Sequence, residues 1–91
     1  MDKWFVYILE CSDKGKTLYT GITNDLDKRI AVHNAGKGAR YTRGRLPVKL
    51  IKSFEVLGKS AALKMEYKIK QLSRAEKLIY NGRDEEKEEQ S

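Results

Sequence analysis

The sequence predicts a small α/β domain of the α+β type, with a three-stranded antiparallel sheet flanked by helices. Two runs of β-branched and aromatic residues near the N-terminus enclose a turn, and a third such run follows the single proline. Helical patterns fill the intervening and following segments. Of the 91 residues, 40% are hydrophobic, which is enough for one domain with a small core.

The first two strands are expected to form a β-hairpin. They cover Trp4 to Leu9 and Thr17 to Ile22, and the turn residues between them include Gly15. A three-residue loop with this glycine in the left-handed conformation makes the residue numbers of paired positions sum to 28. Tyr7 then lies opposite Gly21 and diagonal to Tyr19. Both phenols project from one face of the sheet, with open space beside Tyr7 where Gly21 lacks a side chain.

A helix of about three turns is expected next. Possible N-cap residues at 23–25 precede an apolar pair four residues apart, and Gly36 supplies a stop signal. Arg29 and His33 are also four residues apart, so they share a face of this helix.

Residues 36–45 are expected to form a basic loop, because they contain three glycines and four cations without apolar periodicity. A tyrosine among the cations is typical of a surface that contacts phosphates and stacks on a base. The candidate nucleic-acid-binding residues are Lys37, Arg40, Tyr41, Arg43 and Arg45. Four neutralised phosphates predict a salt slope of about −3.6 for duplex DNA.

The remaining elements are a strand and two helices. Apolar alternation between residues 48 and 56, interrupted by Lys52, predicts the third strand. A helix is expected from residues 58–60 to about residue 72, and it carries Glu66 among apolar neighbours. Ser73 and Glu76 have the spacing of a capping box, so a short last helix starts there.

The charges are unevenly distributed along the chain. Lysine and arginine number 19 against 13 acidic residues, a formal charge of +6. Residues 84–91 hold five acids and one base, which leaves +10 on residues 1–83. We expect a single domain over residues 1–83, an acidic disordered tail over 84–91, and a polyanionic partner.

Composition also bears on location. Cys11 is the single cysteine, which excludes an internal disulfide and a zinc site built from several cysteines. The first apolar run has about six residues, whereas a bilayer-spanning helix needs about 20. A cytoplasmic protein without a membrane partner is expected.

The sequence resembles the GIY-YIG nuclease domain, and within it the small stand-alone bacterial proteins of the UPF0213 type. The two halves of the family motif align with Phe5-Val6-Tyr7 and Tyr19-Thr20-Gly21, and eleven residues separate the two tyrosines. Phe5 and Val6 replace a glycine and an isoleucine of the motif, and Thr20 replaces an isoleucine. These strand positions keep β-propensity. The resemblance covers roughly residues 4–80.

The resemblance implies an endonuclease that hydrolyses phosphodiester bonds in structured or nicked DNA, as in DNA repair. It implies a single Mg²⁺ or Mn²⁺ ion held by Glu66, the family's acidic ligand on a later helix, and a water activated by a tyrosine. Arg29 and His33 match the family's first-helix arginine and its His or Tyr. The implied catalytic residues are Tyr7, Tyr19, Arg29, His33 and Glu66.

The residue types suit hydrolysis, with two roles left open. Arg29 is the candidate for stabilising negative charge on phosphoryl oxygens, because its guanidinium is always charged. A phenol beside a guanidinium and a dication is expected to have a lowered pKa, so Tyr7 is a candidate general base. Tyr19 and His33 compete for that role or support it. Glu66 is expected to bind the metal, and the alternative is an ion pair with a lysine four residues later.

Two other functions compete with the enzyme hypothesis. A non-catalytic or weakly active nucleic-acid-binding module of the same fold explains the charge equally well, and a protein-interaction domain predicts no salt-dependent DNA binding. RNA is a second candidate partner, since stacking on Tyr41 does not distinguish sugars. Because so small a surface leaves little room for base readout, a protein partner or a homodimer is expected to add specificity.

Overall fold

The three strands form one antiparallel sheet in the order β2-β1-β3. The structure is a computed structural model that describes residues 2–82. Its elements are β1 (Lys3–Glu10), β2 (Leu18–Thr23), α1 (Leu26–Asn34), α2 (Arg40–Arg43), β3 (Lys49–Leu57), α3 (Lys59–Lys70) and α4 (Arg74–Ile79). The predicted α+β architecture is confirmed. The expected acidic tail, residues 84–91, lies outside the described residues.

The β1–β2 hairpin has the predicted register, but its loop is built differently. The left-handed residue is Lys16, with φ 51°, rather than Gly15. The carboxylate of Asp13 accepts hydrogen bonds from the backbone N–H of Thr17 at 2.9 Å and from its hydroxyl at 2.5 Å. These side-chain bonds fix the loop, so the chain does not need glycine to reverse direction at the predicted position.

The sheet has a core on each face, because alternate residues of β1 point to opposite sides. Val6 and Ile8 belong to one apolar cluster with Ala62 and Ile69 of α3. The other cluster contains Tyr7, Leu9, Cys11 and Val48, packed against Tyr19, Leu26, Ile30 and Leu46. Helix α1 therefore covers the face that carries the two tyrosines, and α3 covers the opposite face.

The predicted helix boundaries at α1 and α4 are confirmed. Asp25 caps α1 by accepting a hydrogen bond from the backbone of Lys28 at 3.2 Å. After α1, Gly36 has φ 79°, and the hydrogen bonds Gly36 N to His33 O and Lys37 N to Val32 O form a Schellman motif. Helix α4 begins with the predicted capping box.

Two local features differ from the sequence pattern. The basic segment, predicted as a loop, contains the one-turn helix α2, which is too short to show an apolar period. In β3 a bulge opposite Ile8 and Leu9 makes Ile51 an extra residue. Lys52 stays on the α3 face, where its ammonium donates to the carbonyl of Tyr80 at 2.7 Å. None of the helices in residues 2–82 is long and apolar enough to cross a membrane.

Candidate active site

The phenol ring of Tyr7 crosses over Gly21 in the edge strand β2. The two residues are paired across the hairpin, as predicted. A Cβ atom at Gly21 would lie 2.6 Å from Cζ of Tyr7, so the ring rests on the glycine backbone. The space predicted beside Tyr7 is filled by its own ring, which leaves the residue 1% exposed.

Four side chains form a hydrogen-bonded chain on this face of the sheet. Arg29 Nε donates to the phenolic oxygen of Tyr7 at 3.4 Å, and that oxygen lies 3.0 Å from Nε2 of His33. The other ring nitrogen, Nδ1, lies 2.9 Å from Oγ1 of Thr42. The Thr42 hydroxyl in turn donates to the carbonyl oxygen of Ala39 at 3.0 Å.

The end of this chain determines its direction. A carbonyl oxygen only accepts, so the single proton of the Thr42 hydroxyl is used on Ala39. The oxygen of Thr42 must then accept from Nδ1–H of His33, which leaves Nε2 as the lone-pair nitrogen of the neutral imidazole. Tyr7 O–H donates to Nε2 and accepts from Arg29. In this arrangement the acceptor nitrogen Nε2 of His33 faces the phenolic oxygen of Tyr7.

Tyr19 contributes aromatic contacts to the same cluster. Its ring centroid lies 6.5 Å from that of Tyr7 and 5.4 Å from that of His33. The ring of Tyr41 stacks on the ring of Tyr19, with 6.0 Å between the ring centroids and an interplanar angle of 22°. Tyr19 thus joins the proposed site to the basic segment by ring packing.

Burial controls the ionisation of all three rings. Burial raises the pKa of Tyr7, and the hydrogen bond and positive charge of Arg29 oppose that shift only in part. The lowering influence of Arg29 agrees with the prediction, but the net direction is the opposite of the one predicted. Burial likewise raises the pKa of Tyr19. It lowers the pKa of His33, and Arg29 adds to that shift.

Glu66 approaches the tyrosines from the other side of the sheet. It lies on α3 on the same helix face as the fully buried Ala62 and Ile69, and its side chain is 19% exposed. After the main effect of burial, its negative charge contributes to raising the pKa of both tyrosines. The expected alternative partner is present, because the ammonium of Lys70 lies 3.2 Å from its carboxylate.

The predicted nucleic-acid-binding residues fall into two groups. Lys37, Arg40 and Arg43 are exposed, and none has an ion pair or side-chain hydrogen bond with another described residue. Arg45 is engaged inside the domain. It pairs with Asp13 at 3.4 Å, donates to the carbonyl of Tyr41 at 2.6 Å, and lies 4.1 Å above the ring of Tyr41.

Tyr41 is therefore only partly available for stacking. Its side chain remains 43% exposed, but it already contacts Tyr19 and Arg45. A nucleic-acid base that stacks on this ring must share it with those neighbours or displace the guanidinium.

The sequence that forms this site matches a known family. Residues 3–81 match the model of the GIY-YIG catalytic domain. The chain belongs to the GIY-YIG family. The match spans the hydrogen-bonded chain, Glu66 and the basic segment together.

Relatives of similar size share most of the chain. A UPF0213 protein of Halobacterium salinarum is 57% identical over 72 residues, covering 79% of this chain and 91% of its own. The UPF0213 protein YsiG of Lactococcus lactis is 53% identical over 79 residues, with coverages of 86% and 74%.

Two solution NMR structures are similar to the fold. A UPF0213 protein of Bacillus halodurans matches with a TM-score of 0.50 and 48% identity, covering 82% of this chain and 78% of its own. A protein of E. faecalis matches with a TM-score of 0.59 and 33% identity, with coverages of 88% and 83%.

GIY-YIG nucleases generally use a divalent metal ion, and the donor set here suits a hard cation that keeps its water. No group of three or more His, Cys, Asp or Glu side chains in residues 2–82 is arranged to hold a metal. One half-buried carboxylate, Glu66, suits Mg²⁺, which usually binds through one or two carboxylates and completes its shell with water and phosphate. A Zn²⁺ or Ca²⁺ cage does not fit these residues.

Sequence reasoning missed two residues that build this GIY-YIG site. Thr42 holds Nδ1 of His33, and Gly38 lies so close to the imidazole that a Cβ there would be 2.8 Å from Cγ of His33. Neither residue lies at a helical spacing from His33 or belongs to the family motif, because both contacts form when the basic segment folds back over α1. The three glycines of that segment were a signal for close approach, without indicating which glycine makes it.

Proposed function

We propose that the protein is an endonuclease of the GIY-YIG type, which hydrolyses phosphodiester bonds in structured or nicked DNA with Mg²⁺ or Mn²⁺. The observation that carries the proposal is the hydrogen bond between Tyr7 and His33, formed beside the guanidinium of Arg29. A buried phenol, a neutral imidazole and a fixed cation in contact form an arrangement suited to proton transfer next to a phosphate.

The geometry favours Tyr7 and His33 acting together over a preformed phenolate. Because burial raises the pKa of Tyr7, the phenol is neutral near pH 7. A neutral phenol takes a proton from water only while it passes its own proton on. Nε2 of His33 is placed to receive that proton at 3.0 Å, and the lowered pKa of His33 keeps the lone pair available. Tyr19 then supports the pair by packing.

Arg29 and Glu66 supply the opposite charges that the reaction needs. Arg29 reaches Tyr7 from α1, so its guanidinium is suited to hold a phosphoryl oxygen next to the phenol. Glu66 would hold the divalent ion, which when bound stabilises negative charge on the phosphoryl and leaving oxygens. Lys70 must give up its contact with Glu66 for that role, and a surface i,i+4 pair opposes this by only about 0.3–0.5 kcal/mol.

The exposed cations support a nucleic acid as substrate. Arg40 and Arg43 lie within two residues of the buried Thr42, and Lys37 precedes Gly38, which packs on His33. All three cations therefore lie beside the hydrogen-bonded chain. Their number is small, and we expect a second copy or a protein partner to add target choice. The 3.2 Å pair between Lys70 and Glu66 favours the second candidate function, a nucleic-acid-binding module with little or no hydrolysis.

The test is cleavage of branched, nicked and single-stranded DNA in Mg²⁺ or Mn²⁺. Glu66→Gln keeps the shape of the side chain and removes its charge, and it should lower cleavage at least about 100-fold. Glu55→Gln is the matched control, because Glu55 is an exposed carboxylate on β3 whose one ion pair within residues 2–82 is with Lys3. Equal cleavage by all three proteins would show a contaminating nuclease and refute the proposal. Salt-dependent binding without cleavage would establish the binding module instead.

A further inference from the structure

We propose that Thr42 is a positioning residue that sets the tautomer of His33, so that the basic segment holds the imidazole in the form that accepts the proton of Tyr7. The tautomer assignment stands on geometry alone. Its consequence for catalysis rests on the proposed function.

The hydroxyl of Thr42 is placed where its single proton is already committed. Thr42 and His33 are both 0% exposed, so neither side chain is in contact with bulk water. The Thr42 oxygen lies 3.0 Å from the carbonyl of Ala39 and 2.9 Å from Nδ1 of His33. Only the Nδ1–H form of the imidazole satisfies both contacts, because in the other tautomer two acceptors, the lone pairs of Nδ1 and of the Thr42 oxygen, would face one another.

The other tautomer would reverse the bond at Tyr7. A proton on Nε2 would have to be donated to the phenolic oxygen, which already accepts from Arg29 Nε at 3.4 Å. His33 would then have no lone pair facing Tyr7, and the phenol could not pass its proton on. The Thr42 hydroxyl makes its hydrogen bonds with Ala39 and His33 rather than with Tyr7, yet it fixes the direction of the hydrogen bond between Tyr7 and His33.

The same short segment faces both the imidazole and the solvent. Gly38 brings its backbone over the ring, since a Cβ there would lie 2.9 Å from the backbone Cα of His33. Helix α2 then presents Thr42 inward and Arg40 and Arg43 outward. Residues that would contact phosphate are thus built on the element that holds His33, so binding and positioning share one turn of helix.

Ring-nitrogen NMR tests the assignment directly. His33 is the only histidine in the chain, so its two ¹⁵N signals and their couplings to the ring protons are unambiguous. We expect a protonated Nδ1 and an unprotonated Nε2 in the wild type. Thr42→Val keeps the shape and removes the acceptor, and should shift the signals toward the Nε2–H form or a mixture. Thr42→Ser keeps the hydroxyl and should restore the wild-type pattern.

A matched control is available on the opposite face of the sheet. Thr20 is also buried, at 2% exposure, but its Oγ1 has no hydrogen-bond partner in the described part of the chain. Thr20→Val is therefore the same chemical change without a lost contact, and should leave the His33 signals unchanged. A wild type with protonated Nε2, or a Thr42→Val variant with unchanged ring signals, would overturn the proposal. The wild-type measurement decides even where Thr42→Val fails to fold.

Cleavage kinetics provide a second, separable readout. If the protein cleaves DNA, Thr42→Val should lower kcat about tenfold with little change in KM, and Thr42→Ser should recover most of the loss. Arg43→Gln should weaken DNA binding without altering the His33 signals. Unchanged kcat in a Thr42→Val variant with a shifted tautomer would refute the catalytic consequence. The expected tautomers in a protein that never cleaves DNA would refute only the proposed function.

Discussion

Gly21→Ala is the substitution whose effect the structure specifies most closely. The added Cβ would lie 2.6 Å from Cζ of Tyr7 and 3.1 Å from Cε1, and it would collide with the phenolic oxygen. That ring cannot swing away freely, because it is buried and bonded to His33 and Arg29. Either the phenol leaves His33 or β2 moves away from β1.

The magnitude follows from two opposing contributions. Overpacking of this kind costs about 1–3 kcal/mol, and replacing a strand glycine with alanine gains about 0.5–1 kcal/mol of backbone entropy. We expect Gly21→Ala to lower the free energy of unfolding by up to about 2.5 kcal/mol. A displacement of about 1 Å at Tyr7 would also lower any cleavage about 100-fold.

A double-mutant cycle in urea isolates the contact. Tyr7→Leu removes Cζ, Cε1 and the hydroxyl while keeping an apolar side chain, so Gly21→Ala should be neutral or stabilising in that background. Gly15→Ala is the control, since a Cβ there meets nothing within 4 Å. The same destabilisation by Gly21→Ala with Tyr7 and with Leu at position 7 would refute the packing of Tyr7 on Gly21.

Three further outcomes are expected. Because burial lowers the pKa of His33 below its ordinary value of 6.5, the unfolded chain takes up this proton at a higher pH than the native state does. Native stability should therefore fall as pH drops below about 6.5, by up to about 1.4 kcal/mol per pH unit, and urea unfolding of His33→Gln should lack that slope. With Arg45 engaged inside the domain, the basic segment has three cations without a partner in the described part of the chain, and these predict a DNA salt slope of about −2.7. Arg43→Gln should reduce its steepness by about 0.9 in a binding titration, while an equal effect of Arg45→Gln would contradict the assignment. Lys70→Met should lower, roughly twofold, the Mg²⁺ concentration at the midpoint of the NMR shifts near Glu66. An unchanged midpoint would show that the ion pair between Lys70 and Glu66 does not compete with Mg²⁺.

The local geometry of the fold was predictable from sequence to different degrees. The pairing of β1 with β2 follows from alternation and loop length, and these placed Tyr7 opposite Gly21 correctly. The identity of the left-handed residue did not follow, because the hydrogen bonds that Thr17 donates to the carboxylate of Asp13 determine the loop. A side chain of turn type can replace glycine, and the sequence shows only that turn-forming residues are present.

The candidate site was also only partly predictable from the sequence. Strand alternation put Tyr7 and Tyr19 on one sheet face, and helical spacing put Arg29 and His33 on one helix face. Only the family resemblance joined the two sets, and the contacts of Tyr7 with Arg29 and His33 required the structure. Glu66 was expected at a site on one sheet face together with the tyrosines. It lies instead on α3, which packs on the opposite face, and its negative charge contributes to raising the pKa of both tyrosines. The net direction of the Tyr7 pKa also required the structure, because burial of a strand tyrosine depends on packing rather than on its neighbours in sequence.

The members of the hydrogen-bonded chain must be treated as one unit, because burying a polar group without a partner is costly. Tyr7, His33 and Thr42 are among the largest fully buried side chains described, and each of their polar atoms has a partner. Thr20 shows the contrasting case of a buried hydroxyl with no partner in residues 2–82. An unpaired buried group costs about 1–3 kcal/mol, so truncating one member of the chain penalises the next. A loss of activity therefore shows that a residue takes part in the reaction only when the variant keeps the shape of the side chain and the free energy of unfolding. Thr42→Val and Thr20→Val both keep the shape of threonine, so comparing them separates the lost hydrogen bond from the change in side-chain polarity.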